Sequence, residues 1–268
     1  MKMKSPYHDS LMTEFYAKAS AKHQFERPAK DLVKWLKMRE GERMLDIGSG
    51  TGTVASAASR AVGPSGFVVA LDSSIEMLKR QQESAWMKTV ACAPAIPFMD
   101  EVFDVVGAGF VLSHISDYST ALKQINRVLR PKGRFGVTAW ASGTPRVSEV
   151  WKNAIERFVN VKVVQEEFAR IIPCDELFSE SSPIAESFQS AGFVDVKTDV
   201  KEYVISIEAE AYVATKIGSI EGTIVRNILQ NEEWKQFLNH LLLSLQQEFP
   251  GRIQYTRKVH FVSGRKSH

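Results

Sequence analysis

The stretch from Met44 to Ala55 constrains the fold of this chain more than any other. Met44, Leu45 and Ile47 form an apolar, strand-type run. Gly48, Gly50 and Gly52 follow at alternate positions, and helix-forming residues continue from about Thr53 to Ala61. Strand, glycine turn and helix in immediate succession make a βα unit. Glycine lets the backbone take φ values that other residues resist and come close to a ligand. The first N–H groups of the helix lack intrahelical partners and aim at whatever sits over the turn. In an open parallel sheet, such a turn at the carboxyl end of a strand is where nucleotide-like cofactors bind.

Spacing narrows the cofactor. The dinucleotide fingerprint is G-x-G-x-x-G. Here the third glycine arrives one residue early, and Asp46 stands two residues before the first. This D-x-G-x-G-x-G pattern resembles motif I of the class I S-adenosylmethionine (SAM) methyltransferases. An ordinary tight βα turn would use the same glycines, so further matches matter. Phe67 to Asp72 is a second apolar strand ending in an acid, suited to hold both ribose hydroxyls of a nucleoside. Asp72 also lies beside a capping-box pattern, Ser73-Ser74-Ile75-Glu76, and reads equally as a charge at a helix N-terminus. The two roles are compatible.

Ala91 to Phe98, followed by Phe103-Asp104-Val105-Val106, resembles the family's adenine loop and fourth strand. The family usually has an acid where Cys92 stands, to take the adenine N6 amino group, and a thiol is a poor acceptor. The N6 contact is then lost or made by a backbone carbonyl or another side chain; Cys92 also reads as a small buried residue. Gly109 to Ile115 and Ala121 to Phe135 resemble the passage that closes the core of small-molecule methyltransferases. Gln124 replaces the usual acid there, and Lys132 the first glycine of a turn. The blocks follow in order from about residue 42 to 140. Their closest flavour is the group of quinone-biosynthesis and natural-product methyltransferases.

The resemblance implies a Rossmann-like α/β fold with a seven-stranded sheet, order 3-2-1-4-5-7-6, strand seven antiparallel. It implies SAM as cofactor, S-adenosylhomocysteine as product, and no metal. The cofactor-binding residues it implies are Asp46, Gly48, Ser49, Gly50 and Gly52 on the turn, Asp72, Ser73 and Met77 after the second strand, Cys92 and Ala93 in the adenine loop, and Gly109 and Phe110 after the fourth. The activity expected is methyl transfer to an O, N or C nucleophile of a small, partly apolar metabolite. A SAM-binding scaffold without catalysis and a SAM-fold enzyme of non-methylating chemistry are the alternatives.

Periodicity supports the same architecture. Strands are predicted at about 43–47, 67–71, 87–91, 102–107 and 134–140, with helices between them, which argues for a parallel sheet covered on both faces. Residues 9–24 and 26–39 read as helices, with Pro28 in the first turn of the second. The Ala191-Gly192-Phe193 stop precedes a sixth strand through about 206, and 253–263 reads as the last strand. Segments 1–40, 142–182 and 207–250 have no place in that core and are expected to form a helical lid or cap within a single methyltransferase domain spanning 1–268. In the last of them Phe237, Leu238, Leu241, Leu242, Leu243 and Leu245 make a wide apolar surface, for packing within the cap, a dimer interface or a substrate wall.

Catalytic candidates are fewer. His114 follows strand four, at the edge where an acceptor lies, and an imidazole there suits a general base; a structural hydrogen-bonding role is the alternative. Tyr7, His8, Tyr16 and His23 in the N-terminal segment, Trp140 at the end of strand five and Arg146 just beyond it are candidates for touching the acceptor. The sequence after strand four, Gly109-Phe110-Val111-Leu112, is not the N/D-P-P-Y/F of amino methyltransferases acting on adenine or glutamine.

With 44% hydrophobic and 24% charged residues, the 268-residue chain suits one soluble α/β domain with insertions. A net charge of +3 is too small to imply a polyanionic partner such as nucleic acid. Lys2, Lys4, Lys18, Lys22, Lys30, Lys34 and Lys37 read as a solvated face. No signal peptide or membrane span is evident, and Cys92 and Cys174 lack metal-ligand spacing. A cytoplasmic monomer or homodimer with a small-molecule acceptor is expected.

Overall fold

The computed structural model describes residues 6–81 and 86–267. Lys2 and Lys4 of the basic face lie outside the described residues. The strands are β1 (Arg43–Ile47), β2 (Phe67–Asp72), β3 (Met87–Val90), β4 (Phe103–Gly109), β5 (Leu129–Trp140), β6 (Phe193–Ile207) and β7 (Ile253–Lys266). They form one seven-stranded sheet in the order β3-β2-β1-β4-β5-β7-β6. β1 to β5 pair in parallel, and β7 runs antiparallel to β5, with Val137 opposite Val262. This is the expected Rossmann-like topology.

The helices are α1 (Ser10–Phe15), α2 (Glu26–Trp35), α3 (Thr53–Val62), α4 (Ile75–Lys79), α5 (Tyr118–Val128), α6 (Arg146–Phe158), α7 (Val161–Ile171), α8 (Ser181–Ser190), α9 (Ala209–Ile217), α10 (Ile220–Ile228) and α11 (Asn231–Glu248). The chain divides into two compact units. The sheet unit comprises residues 25–142, 172–201 and 258–268; the helical unit comprises 1–24, 143–171 and 202–257.

In the sheet unit, successive strand residues face opposite sides, and helices cover both. Leu45, Ile47, Val69, Leu71, Val106, Phe135 and Val137 form one core with Leu122, Ile125 and Val128 of α5 and Ile184 and Phe188 of α8. The Phe135 and Phe188 rings stack at 4.7 Å. On the other face α2 packs against α3, β4 and β5. The approach is so close that a Cβ on Gly136 would lie 2.7 Å from Leu36 Cδ2. Arg134 ties that end of α2 down, donating from Nε to the Leu36 carbonyl at 2.8 Å and pairing with Glu42 at 2.6 Å.

The helical unit is built on an i, i+4, i+8 stripe. Phe237, Leu241 and Leu245 of α11 are fully buried, and α11 packs on α6 and α9. Trp151 meets Phe237 edge-on at 5.4 Å, and Trp234 stacks on it at 5.3 Å. Much of the predicted apolar surface is thus used within the unit, although Leu243 is exposed. Gly218 lets α9 sit against α1, since a Cβ there would lie 2.5 Å from Tyr16 N.

Of the segments expected to form a cap, α2 and residues 172–182 fall in the sheet unit, and most of the remainder falls in the helical unit. Two expectations need correction. The helix predicted over 9–24 is α1 followed by a wider, π-type helical stretch, Tyr16–Phe25. β5 begins at Leu129 rather than 134, with a register shift opposite Phe103–Val105. Lys132, in the glycine position of that turn, has φ 65°.

Candidate active site

Gly48, Gly50 and Gly52 all have left-handed φ, at 61°, 52° and 87°. Gly48 could carry no side chain in any case: a Cβ would sit 2.2 Å from Val111 Cγ2, so the β1 turn and the segment after β4 touch here. The turn closes through Gly52 N–H to the Ser49 carbonyl at 2.8 Å, and Gly52 caps α3. Asp46 is buried just below. Its Oδ2 accepts from Ala55 N at 2.9 Å, and its Oδ1 has no hydrogen-bond partner among the described residues. Burial pushes the Asp46 pKa well above the usual carboxylate range; the Ala55 N–H opposes this, and the nearby Asp72 charge adds to it. The Thr51 hydroxyl, on the same turn, is likewise buried without a partner among the described residues.

Asp72 ends β2 and accepts from both sides of the crevice: Oδ2 from Gly50 N and Oδ1 from Ser74 N, each at 2.8 Å. The N-cap falls one residue later than the predicted capping box places it. Ser74, not Ser73, is the N-cap of α4, accepting from Met77 N at 3.2 Å. Ser73 is exposed and Met77 is buried. After β3, Cys92 caps a 3-10 turn, Ala93–Ala95, and is exposed, not a small buried residue as one reading had it. β3 is an edge strand whose residues are largely solvent-facing, so no core exists there to enclose the thiol. Ala93 is buried. Arg127 braces this loop from α5, donating to the Ile96 and Phe98 carbonyls at 3.0 and 2.8 Å.

The carboxyl ends of β4 and β5 differ in character. Phe110 follows Gly109 with φ 56°, a strained value for a bulky residue. Its N–H donates to the Thr138 carbonyl at 3.0 Å. Its ring lies 4.5 Å from Trp140 and 5.1 Å from Phe25, centroid to centroid. The Thr138 hydroxyl is buried without a partner among the described residues. His114 closes a 3-10 turn, Leu112–His114, and is half-buried. Burial pushes its pKa down to about 4, against a hydrogen bond with the Phe110 backbone.

The structure therefore brings Asp46, Gly48–Gly52, Asp72, Gly109 and Phe110 together, with Trp140 packed on Phe110. Tyr7, His8, Tyr16, His23 and Arg146 belong to the helical unit instead. Arg146 is paired with Glu248, so its guanidinium is already engaged. Thr51, Thr138, Phe25 and Gln81 were not singled out from the sequence. Only Thr51 carried a local signal, its place between the second and third glycines.

The ubiE/COQ5 methyltransferase family model matches residues 21–208. The chain belongs to this family. A demethylmenaquinone methyltransferase of Geobacillus sp. (strain WCH70) is 31% identical over 192 residues, 67% of this chain and 81% of the relative. Phosphoethanolamine N-methyltransferase 2 of Haemonchus contortus, solved with SAM, aligns at TM-score 0.55 and 18% identity over 98% of this chain and 60% of that one. The [4+2]-cyclase SpnF aligns at TM-score 0.53 and 15% identity over 91% and 82%. The last two likenesses show the fold alone. Family membership makes this chain a SAM-dependent methyltransferase.

The residues present fit SAM. The cofactor carries positive charge on its sulfonium and amino groups and two ribose hydroxyls. A buried carboxylate oxygen of Asp46 without a partner among the described residues, and an Asp72 carboxylate fixed by two N–H donors, suit those groups. Among the described residues no group of three or more His, Cys, Asp or Glu could hold a metal ion, and no helix is long and apolar enough to cross a membrane.

Proposed function

We propose that this ubiE/COQ5-family methyltransferase binds SAM over Gly48–Gly52, with the ribose on Asp72, the adenine beside Cys92 and Ala93, and the charged methionyl end toward Asp46 and Thr51. When bound, SAM supplies a methyl group on a cationic sulfur, activated for in-line displacement by an aligned nucleophile. The observation that carries the reading is Asp72. Gly50 N and Ser74 N hold its carboxylate in one orientation at the end of β2, beside the glycine turn, where the resemblance places a ribose-binding acid.

The acceptor in this reading is a small molecule with a flat, partly apolar ring. The Phe110, Trp140 and Phe25 rings offer an apolar wall that excludes water beside Gly109. Relatives named demethylmenaquinone methyltransferase make a demethylmenaquinone-like ring the first acceptor to try. Lowered to about 4, His114 is neutral at pH 7 and takes a hydrogen bond from the acceptor. It orients the acceptor better than it holds a full proton, because a strong general base needs a pKa near the working pH. The lid role expected for the inserted segments belongs to the helical unit in this reading; its support is chain order, since Gly143 follows closely on β5. The free thiols Cys92 and Cys174 suit a cytoplasmic setting.

Calorimetry with SAM tests the pose. Asp72→Ala is expected to weaken binding by about 1.5–3 kcal/mol, the scale for hydrogen bonds to a charged group. Unchanged affinity would remove Asp72 from the site. Release of S-adenosylhomocysteine in the presence of a quinone-type acceptor tests the acceptor class.

A further inference from the structure

The Gly48–Gly52 turn has little conformational preference of its own, because its three glycines resist few backbone angles. Something must hold it. Asp72 takes the Gly50 N–H from the ligand-facing crevice. The Gly50 carbonyl is taken by a different residue, Gln81, just beyond α4. Gln81 is a buried polar side chain. Its Nε2 donates to the Gly50 carbonyl at 2.9 Å and to Ser49 Oγ at 3.0 Å. Its Oε1 accepts from Trp86 Nε1 at 2.8 Å. The indole N–H is a donor only, so it determines which end of the Gln81 amide is oxygen and turns the NH2 end onto the turn. The Gln81 stem and the Trp86 ring also back the turn by packing: a Cβ on Gly52 would meet Gln81 Cγ and Trp86 Cζ2, both at 3.2 Å. Lys88 Nζ donates to the Gln81 carbonyl at 3.0 Å, anchoring its backbone to β3.

We infer that Gln81, oriented by Trp86, is a positioning residue that holds the glycine turn in its cofactor-binding shape through backbone and side-chain groups that Asp72 does not engage. The inference rests on the SAM pose proposed above. Gly50 is gripped through both of its flanking peptide groups, its N–H by the residue assigned to the ribose and its C=O by Gln81. The carbonyl direction of Gly50 therefore depends on an amide to which the proposed pose assigns no contact with SAM. Gln81→Glu keeps the size and still accepts from Trp86, but it removes the donor and sets a negative charge against the Gly50 carbonyl. Gln81→Met keeps the length and removes the polar ends. Trp86→Phe keeps most of the packing and removes only the group that orients the amide.

Calorimetric titration of the full chain with SAM tests the inference, with Asp72→Ala as the reference variant. A clamp raises Kd while the binding stoichiometry stays near that of the unsubstituted protein; a residue needed only for folding lowers the stoichiometry and leaves Kd alone. Gln81→Met is expected to raise Kd about 10–50-fold, Gln81→Glu at least as much, and Trp86→Phe about 3–10-fold, the range spanned by loss of one or two buried hydrogen bonds. If Asp72→Ala weakens binding while Gln81→Met leaves Kd within about 2-fold, the clamp is overturned and the SAM pose stands. If Asp72→Ala has no effect, the pose itself fails. Should both Gln81 variants fail to fold, Trp86→Phe decides: unchanged Kd overturns the inference, and a raised Kd at full stoichiometry supports it.

Discussion

The ends of β1 and β2 and the ends of β4 and β5 lie along one edge of one sheet, yet they are built by opposite means. At β1 and β2 the backbone is glycine and the determinants are polar. Asp46, Asp72, Ser74 and Gln81 fasten the turn and the loops through hydrogen bonds of 2.8–3.0 Å. At β4 and β5 the determinants are rings. Phe110 holds a left-handed φ without a glycine, and Trp140 and Phe25 pack around it. The first region suits a cofactor of fixed shape and charge, which rewards preorganised polar groups. The second suits an apolar acceptor, for which shape and water exclusion matter more than individual hydrogen bonds.

The largest expected effect breaks the boundary between these regions. Gly48→Ala drives a methyl group into Val111 Cγ2, 2.2 Å away, at a left-handed φ. A cost of about 3 kcal/mol or more in stability, with SAM binding lost, is expected from the overlap and the strain together. Urea denaturation and calorimetry measure both.

Acid separates the two regions by sign. The folded pKa of His114 lies at about 4, below its unfolded value of 6.5, so its contribution is present above pH 6.5 and is lost as pH falls toward 4. The loss amounts to as much as about 3 kcal/mol. Asp46 moves oppositely. Its raised pKa makes its contribution complete below the unfolded value of 3.8 and progressively lost as pH rises through the folded value. Stability measured against pH should therefore flatten between pH 6.5 and 4 in His114→Gln and should lose its Asp46 component, of opposite slope, in Asp46→Asn. Parallel shifts in the two variants would contradict the assignment.

A smaller effect isolates the aromatic side. Phe110→Leu keeps an apolar side chain but loses the ring contacts with Trp140 and Phe25. It should cost about 1 kcal/mol of stability while leaving SAM affinity within about 3-fold, a small fraction of the loss expected at a charged hydrogen bond. The smallest effect is a gain. Lys132 has φ 65° like the turn glycines, but is exposed in the first part of β5, away from the crevice. Lys132→Gly should stabilise by about 0.5–1 kcal/mol by relieving the left-handed conformation, with no change in SAM affinity. A stabilised protein that binds SAM differently would link that turn to the site.

The features legible in the amino-acid order are local or periodic. The glycines at alternate positions, the acid ending β2 and the alternation of strands with helices depend on residues a few positions apart. Backbone conformation and side-chain facing follow directly from such spacings. The sheet order came from the family resemblance that those same residues carry. The remaining features follow from packing, because each contact joins residues far apart in the chain. Arg127 braces a loop near residues 96–98, and Gln81 reaches Ser49 and Gly50. The cap of α4 is Ser74 rather than Ser73, and Asp72 accepts from both Ser74 N and the distant Gly50 N. α2 packs closely on the sheet because Gly136 leaves room for Leu36. Burial set the ionisation of His114 and Asp46, and burial belongs to the packed molecule rather than to any short stretch of residues.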